Sequence, residues 1–170
     1  YGWIDNYDAD WTPNTTDRAH KRYRFGNQPA VAQWNLAQLA NALVPAVHEV
    51  DPLQTALDAF MPTFNSYWSE MIASKLGLSS FTNESAKELG TELFTLLDAA
   101  ETDMTIFFRR LIDIDISTEP ELMTTETILP LEEPYYDPSD FHGNTQGLIL
   151  KWVKQYLQVS RISGLEADER

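Results

Sequence analysis

From Pro29 onward the apolar residues of this chain return every three or four positions, and no stretch alternates in the manner of a half-buried strand. That period dictates helices. A first helix begins at Pro29, whose fixed φ suits an opening turn, and carries Val31, Trp34, Leu36, Leu39, Ala42 and Leu43 until Pro45 ends or kinks it. A second opens on Asp51-Pro52, an N-cap followed by proline, and continues through Leu53, Leu57, Phe60, Phe64, Trp68 and Ile72 to a stop at Gly77, with a kink expected at Pro62. A third follows Asn83 with Leu89, Leu93, Leu96 and Leu97. A shorter fourth, capped by Thr102, carries Met104, Ile106, Phe107, Phe108 and Leu111. A last helix holds Leu148, Ile149, Trp152, Val153, Tyr156 and Leu157 and runs to about Gly164. Trp34, Trp68 and Trp152 fall on these apolar faces and are read as core. The expectation is a mainly α fold.

Between the helices the pattern lapses twice. Residues 1–29 are crowded with turn formers (Asp5-Asn6, Asp8, Asp10, Pro13-Asn14, Gly26-Asn27), and an irregular stretch of that length in a compact domain tends to be functional. Residues 113–140 are acidic, punctuated by proline and without period, and they read as a mobile connection. The chain thus divides into an irregular opening (1–29), a helical core (30–112), an acidic connecting segment (113–140) and a final helix with its tail (141–170).

Charge narrows the function. The formal net charge is −14 over 170 residues. Asp5, Asp8, Asp10 and Asp17 balance Arg18, Lys21, Arg22 and Arg24 in residues 1–29, so the whole excess lies beyond them. A chain so acidic lacks the broad basic face that nucleic acid requires. The basic cluster around His20 is read either as a solvated loop or as a local grip on phosphate or an acidic partner. Without cysteine, disulfides and thiolate metal sites are excluded. No segment reaches the roughly 20 apolar residues of a membrane helix. A cytoplasmic protein is the expectation.

Spacing alone yields no complete catalytic site. Asp5, Asp8 and Asp10 suggest a calcium loop, but the glycine that such a loop needs at its sixth position is missing. His20, His48 and His142 never fall three or four apart, so zinc spacing is absent. Asp113 with Asp115 and Glu132 with Glu133 sit among other acids and read as solvated charge. Arg109 and Arg110 suit the negative end of the fourth helix. A non-catalytic helical scaffold with an acidic surface is one reading these features allow.

The stretch YGWIDNYDADWTPNTTD followed by YRFGNQPAVAQWNLAQLANAL carries more information than any spacing. Through Gly2, Asp5, Tyr7, Asn14, Asp17, Tyr23, Phe25, Asn27, Gln28, Pro29, Trp34, Asn35, Leu36, Leu39, Ala40 and Leu43 it closely resembles the selenoprotein O family, whose bacterial members are often called YdiU. The resemblance implies a protein-kinase-like fold, grouped with pseudokinases, that uses ATP with Mg²⁺ or Mn²⁺ to move AMP onto the hydroxyls of protein substrates. Tyr1-Gly2 resembles the aromatic-Gly pair just after the family's D-Y-G-P motif. The implied arrangement is an activation-segment-like opening followed by a helical C-lobe portion, with catalytic, nucleotide-binding and metal-binding residues upstream of Tyr1. On that reading the isolated chain is inactive, binds no cofactor, and self-associates through faces meant for the rest of the domain. Asp5, Asn14, Asp17, Arg22, Arg24, Asn27 and Gln28 are the expected supports at the edge of the site, with Asp5 or Asp17 pairing Arg22 or Arg24.

Overall fold

A computed structural model describes residues 5–81 and 84–162. The Tyr1-Gly2 pair, the start of the third helix at Asn83 and the tail beyond Ile162 lie outside the described residues. The fold is mainly helical, with six α-helices among the described residues: α1 Gln28–Val47, α2 Asp51–Lys75, α3 Glu84–Leu97, α4 Met104–Arg110, the single turn α5 Pro138–Phe141, and α6 Asn144–Ile162. It divides into two compact units, one of residues 8–68 and one of residues 5–7 together with 69–162.

The first unit holds the loop of residues 8–27, α1 and most of α2. Helix α1 takes Pro29 into its first turn, as the ring's fixed φ favours. It passes Pro45 and ends two residues later, where His48 turns left-handed at φ 63° and its N–H reaches the Val44 carbonyl. Of the apolar residues along α1 only Val31 is buried. Trp34, Leu36, Leu39, Leu43 and Val47 are all exposed. Placing Trp34 in the core is therefore corrected: the residue is 48% exposed and its ring serves a different purpose. Helix α2 runs unbroken through Pro62, and Phe60, Phe64 and Trp68 stack along it at 6.3 and 6.1 Å between ring centroids.

The second unit holds the core. Helix α2 closes with a Schellman arrangement: Gly77 at φ 71°, its N–H on the Ser74 carbonyl and the Leu78 N–H on the Ala73 carbonyl. Helix α3 buries Ala86, Leu89, Gly90, Leu93, Leu96 and Leu97 against α6, which buries Ile149, Trp152, Val153, Tyr156, Leu157 and Val159. Each of those large side chains removed from water contributes about 1.5–3 kcal/mol. Polar tips are satisfied as they enter: the Trp152 indole N–H donates to the Leu89 carbonyl at 3.1 Å, and the Tyr156 hydroxyl to the Leu76 carbonyl at 2.9 Å.

Helix α4 is capped by Asp103, whose carboxylate accepts the Ile106 N–H at 2.8 Å. The sequence pointed to Thr102 instead. Thr102 is fully buried in a backbone bridge to Tyr135, and its hydroxyl donates to the Ala100 carbonyl, so it is not free to cap. Arg110 forks from the end of α4 to Asp113 at 3.0 Å and to Glu133. Those two carboxylates, Glu133 foremost, hold its guanidinium even more firmly charged than usual.

Residues 113–140, read from sequence as a mobile connection, are folded into this unit. Short 3₁₀ turns at Leu111–Asp113, Pro120–Leu122 and Leu129–Leu131 carry it, and Ile114, Ile116, Met123, Ile128, Leu131 and Tyr135 are buried. Arg161 of α6 ties the segment down through Glu119 and the Ser117 carbonyl. The period is missing because turns of three residues repeat no face, not because the stretch lacks a core side.

Candidate functional site: a self-tied basic loop

The irregular opening is a loop fastened by its own polar groups. Asn14 accepts from the Thr16 N–H at 3.1 Å and from the Thr16 hydroxyl at 2.7 Å, capping the short turn Thr15–Asp17. The Asp17 carboxylate accepts the Arg22 N–H, while its carbonyl accepts the Lys21 N–H at 2.8 Å. Lys21 itself stands at φ 46°, a left-handed conformation that costs a non-glycine residue of order 1 kcal/mol. Those two bonds to Asp17 offset it. From the other end, the Asn27 amide donates to the Arg22 carbonyl and the Gln28 amide to the Tyr23 carbonyl at 2.6 Å.

The loop also folds back on its beginning. Phe25 and Gly26 donate to the carbonyls of Trp11 and Ala9, each at 2.8 Å. A methyl group at Gly26 would meet the Ala9 carbonyl oxygen at 3.0 Å, so the close approach favours glycine. Arg24 pairs with Asp10 at 3.0 Å, and the Asp8 carboxylate accepts the Asp10 N–H.

Six of the expected edge residues are thus tied together, Asn14, Asp17, Arg22, Arg24 and Asn27 in the loop and Gln28 at the start of α1. Asp5 belongs to the second unit, where its carbonyl accepts the Met104 N–H at 2.7 Å. The expected pairing differs in detail. Asp17 takes the backbone of Arg22, and the side-chain partner of Arg24 is Asp10. Asp5, Asp8 and Asp10 do not assemble a cation site; among the described residues no three acidic or histidine side chains form a group able to hold a metal.

What the sequence reading missed is Trp34. The Arg22 guanidinium lies 4.2 Å from the centre of its ring and 5.8 Å from that of Tyr23. This stacking keeps the cation over two aromatic faces. The signal was available in the position of Trp34, two turns into a helix that begins where the basic loop ends.

The arrangement can grip an anion. The bearing of that on function comes from relatives. A relative from Rhodopirellula baltica, described as "Protein nucleotidyltransferase YdiU", is 46% identical over 159 residues, 92% of this chain and 29% of its own length. Relatives with the same description from Aromatoleum aromaticum and Nitrosospira multiformis are 41% and 48% identical over 170 and 143 residues, covering 100% and 84% of this chain. Residues 1–169 match the family described as "Protein adenylyltransferase SelO", and the chain belongs to that family. It spans less than a third of the length of these relatives, 25–31%. Among the described residues no helix is long and apolar enough to cross a membrane.

Proposed function

We propose that this chain is the helical supporting portion of a protein adenylyltransferase that moves AMP from ATP onto Ser, Thr or Tyr hydroxyls of proteins, and that it acts in the cytoplasm. The observation that carries the reading is the family match along residues 1–169. On this reading the helices are the lower part of a kinase-like C-lobe, and the loop of residues 8–27 is the activation-segment-like element beside the site. Phosphoryl-type chemistry is driven by positioning and by neutralising charge, which ATP brings together with Mg²⁺ or Mn²⁺. Among the described residues no three acidic or histidine side chains come together to hold that metal, and Asp10 of the loop pairs with Arg24. On this reading the loop of residues 8–27 supplies neither metal ligands nor nucleotide clamps, and the isolated chain is expected to be inactive.

The role left to residues 10–28 is to fix the shape of the site's edge. A bond network that is internal to the loop, rather than aimed at a substrate, supports this. The half-exposed apolar side chains of α1 support a second element of the reading, association of isolated copies through that face. The deciding experiment gives the full-length protein ATP labelled at the α-phosphate or, separately, at the γ-phosphate, with this chain as control. Protein carrying only α-label is the expected result. Label from the γ-position alone would make the protein a kinase, and label on acceptors mixed with the isolated chain would overturn the assignment of the chemistry elsewhere.

A further inference from the structure

Basic residues are scarce in this acidic chain, and outside the loop several are consumed by neighbours. Lys87 pairs with Glu84, Arg110 with Asp113 and Glu133, Lys151 with Glu92, and Arg161 with Glu119. The loop gathers several unpaired cations within a few residues. Of its four cations within residues 18–24, only Arg24 has a carboxylate partner among the described residues. Arg18 and Arg22 are exposed, Lys21 is partly so, and Asp17, the nearest acid in sequence, turns its carboxylate to the Arg22 N–H rather than to a side-chain cation.

The unspent cations are also held in place. Arg22 has its N–H fixed by Asp17, its carbonyl by Asn27 and its guanidinium plane by Trp34. A guanidinium laid on an aromatic ring keeps its N–H edge free, and that edge matches a carboxylate in bidentate fashion. Holding the loop beforehand removes ordering cost from any binding event. The surrounding negative charge restricts what can approach: a long polyanion such as nucleic acid would meet repulsion beyond the patch, whereas a short acidic segment need only cover the patch itself.

We propose that Arg18, Lys21 and Arg22, backed by Trp34, form a docking site for a short Asp/Glu-rich segment of a partner polypeptide. That this partner is an acceptor of AMP rests on the adenylyltransferase reading; the binding does not.

The test is fluorescence anisotropy of a labelled oligoglutamate peptide titrated with this full chain at low ionic strength, which needs no catalysis and so fails or succeeds independently of AMP transfer. Saturable binding is expected, with affinity falling about tenfold or more in Arg18→Glu/Lys21→Glu and declining as salt is raised. Both side chains point to solvent-accessible surface, and circular dichroism checks that the fold persists. Trp34→Leu, which removes the support under Arg22 while leaving every charge, should weaken binding several-fold. Equal affinity for the double variant, equal affinity for an oligoglutamine peptide, or an equal loss on reversing the remote Lys87 (Lys87→Glu) would each overturn the proposal.

Discussion

Trp152 and Tyr156 stack one helical turn apart, with ring centroids 5.6 Å apart and planes within 3° of parallel, and each hands its polar atom to a different neighbouring segment. Trp152 donates to Leu89 in α3 and Tyr156 to Leu76 at the end of α2. One stacked pair on α6 therefore registers two other elements of the second unit. Tyr156→Phe keeps the stack but leaves the buried Leu76 carbonyl without this donor, a loss of about 1–3 kcal/mol. Trp152→Ala removes the ring as well and should cost about 3–5 kcal/mol. Urea denaturation of both variants checks the order. Equal losses would mean that the hydrogen bonds, not the stack, dominate.

The cap of α4 gives a second comparison. Asp103→Ala removes the acceptor of the Ile106 N–H and should cost about 0.5–2 kcal/mol. Asp103→Asn retains an acceptor and should lose less. A Thr102→Val change, in contrast, leaves the cap intact but strips the Ala100 carbonyl of its donor inside a fully buried site. Thermal melts of the three variants separate capping from burial.

His48 ends α1 in the left-handed conformation that glycine adopts freely. His48→Gly should therefore stabilise the first unit by up to about 1 kcal/mol, less the entropy glycine regains in the unfolded chain. A rise in melting temperature is the expected readout. A fall would mean that the exposed imidazole contributes through contacts rather than through the backbone.

Much of this architecture was legible because helices announce themselves through period and punctuation. Pro29, Asp51-Pro52 and Gly77 mark boundaries through backbone constraints that hold in any context, and the structure places helix ends beside each of them. Other features depended on facts that no local pattern carries. Thr102 and Asp103 are both competent caps, and the choice was made by the bridge that buries Thr102 against Tyr135. Trp34 has the character of a core residue, yet its ring carries the Arg22 guanidinium, a partner that helical period does not reveal. In the loop, residue types identified the participants, but not the partners: Arg24 took Asp10, and Asp17 took a backbone N–H that a side-chain reading does not weigh.

Tyr135 makes the last prediction, and it concerns pH. Its hydroxyl is buried and makes no hydrogen bond of good geometry among the described residues; the Thr102 hydroxyl beside it donates to the Ala100 carbonyl. Burial disfavours the phenolate, the neighbouring Thr102 hydroxyl partly offsets this and the nearby Asp140 adds to it, so the phenol is pushed up to about 12. In the unfolded chain a tyrosine ionises near pH 10. Between those values the native state keeps a proton that the unfolded state has released, and stability must fall as pH rises. The contribution is complete below about pH 10 and is lost by the time pH passes about 12. Tyr135→Phe removes it, and at neutral pH should cost little, because no hydrogen bond is broken. Urea midpoints of both proteins across the alkaline range supply the test: the wild-type curve should fall more steeply than the variant's. Parallel curves would mean that the Tyr135 phenol titrates alike in both states, and that the buried hydroxyl has found a partner.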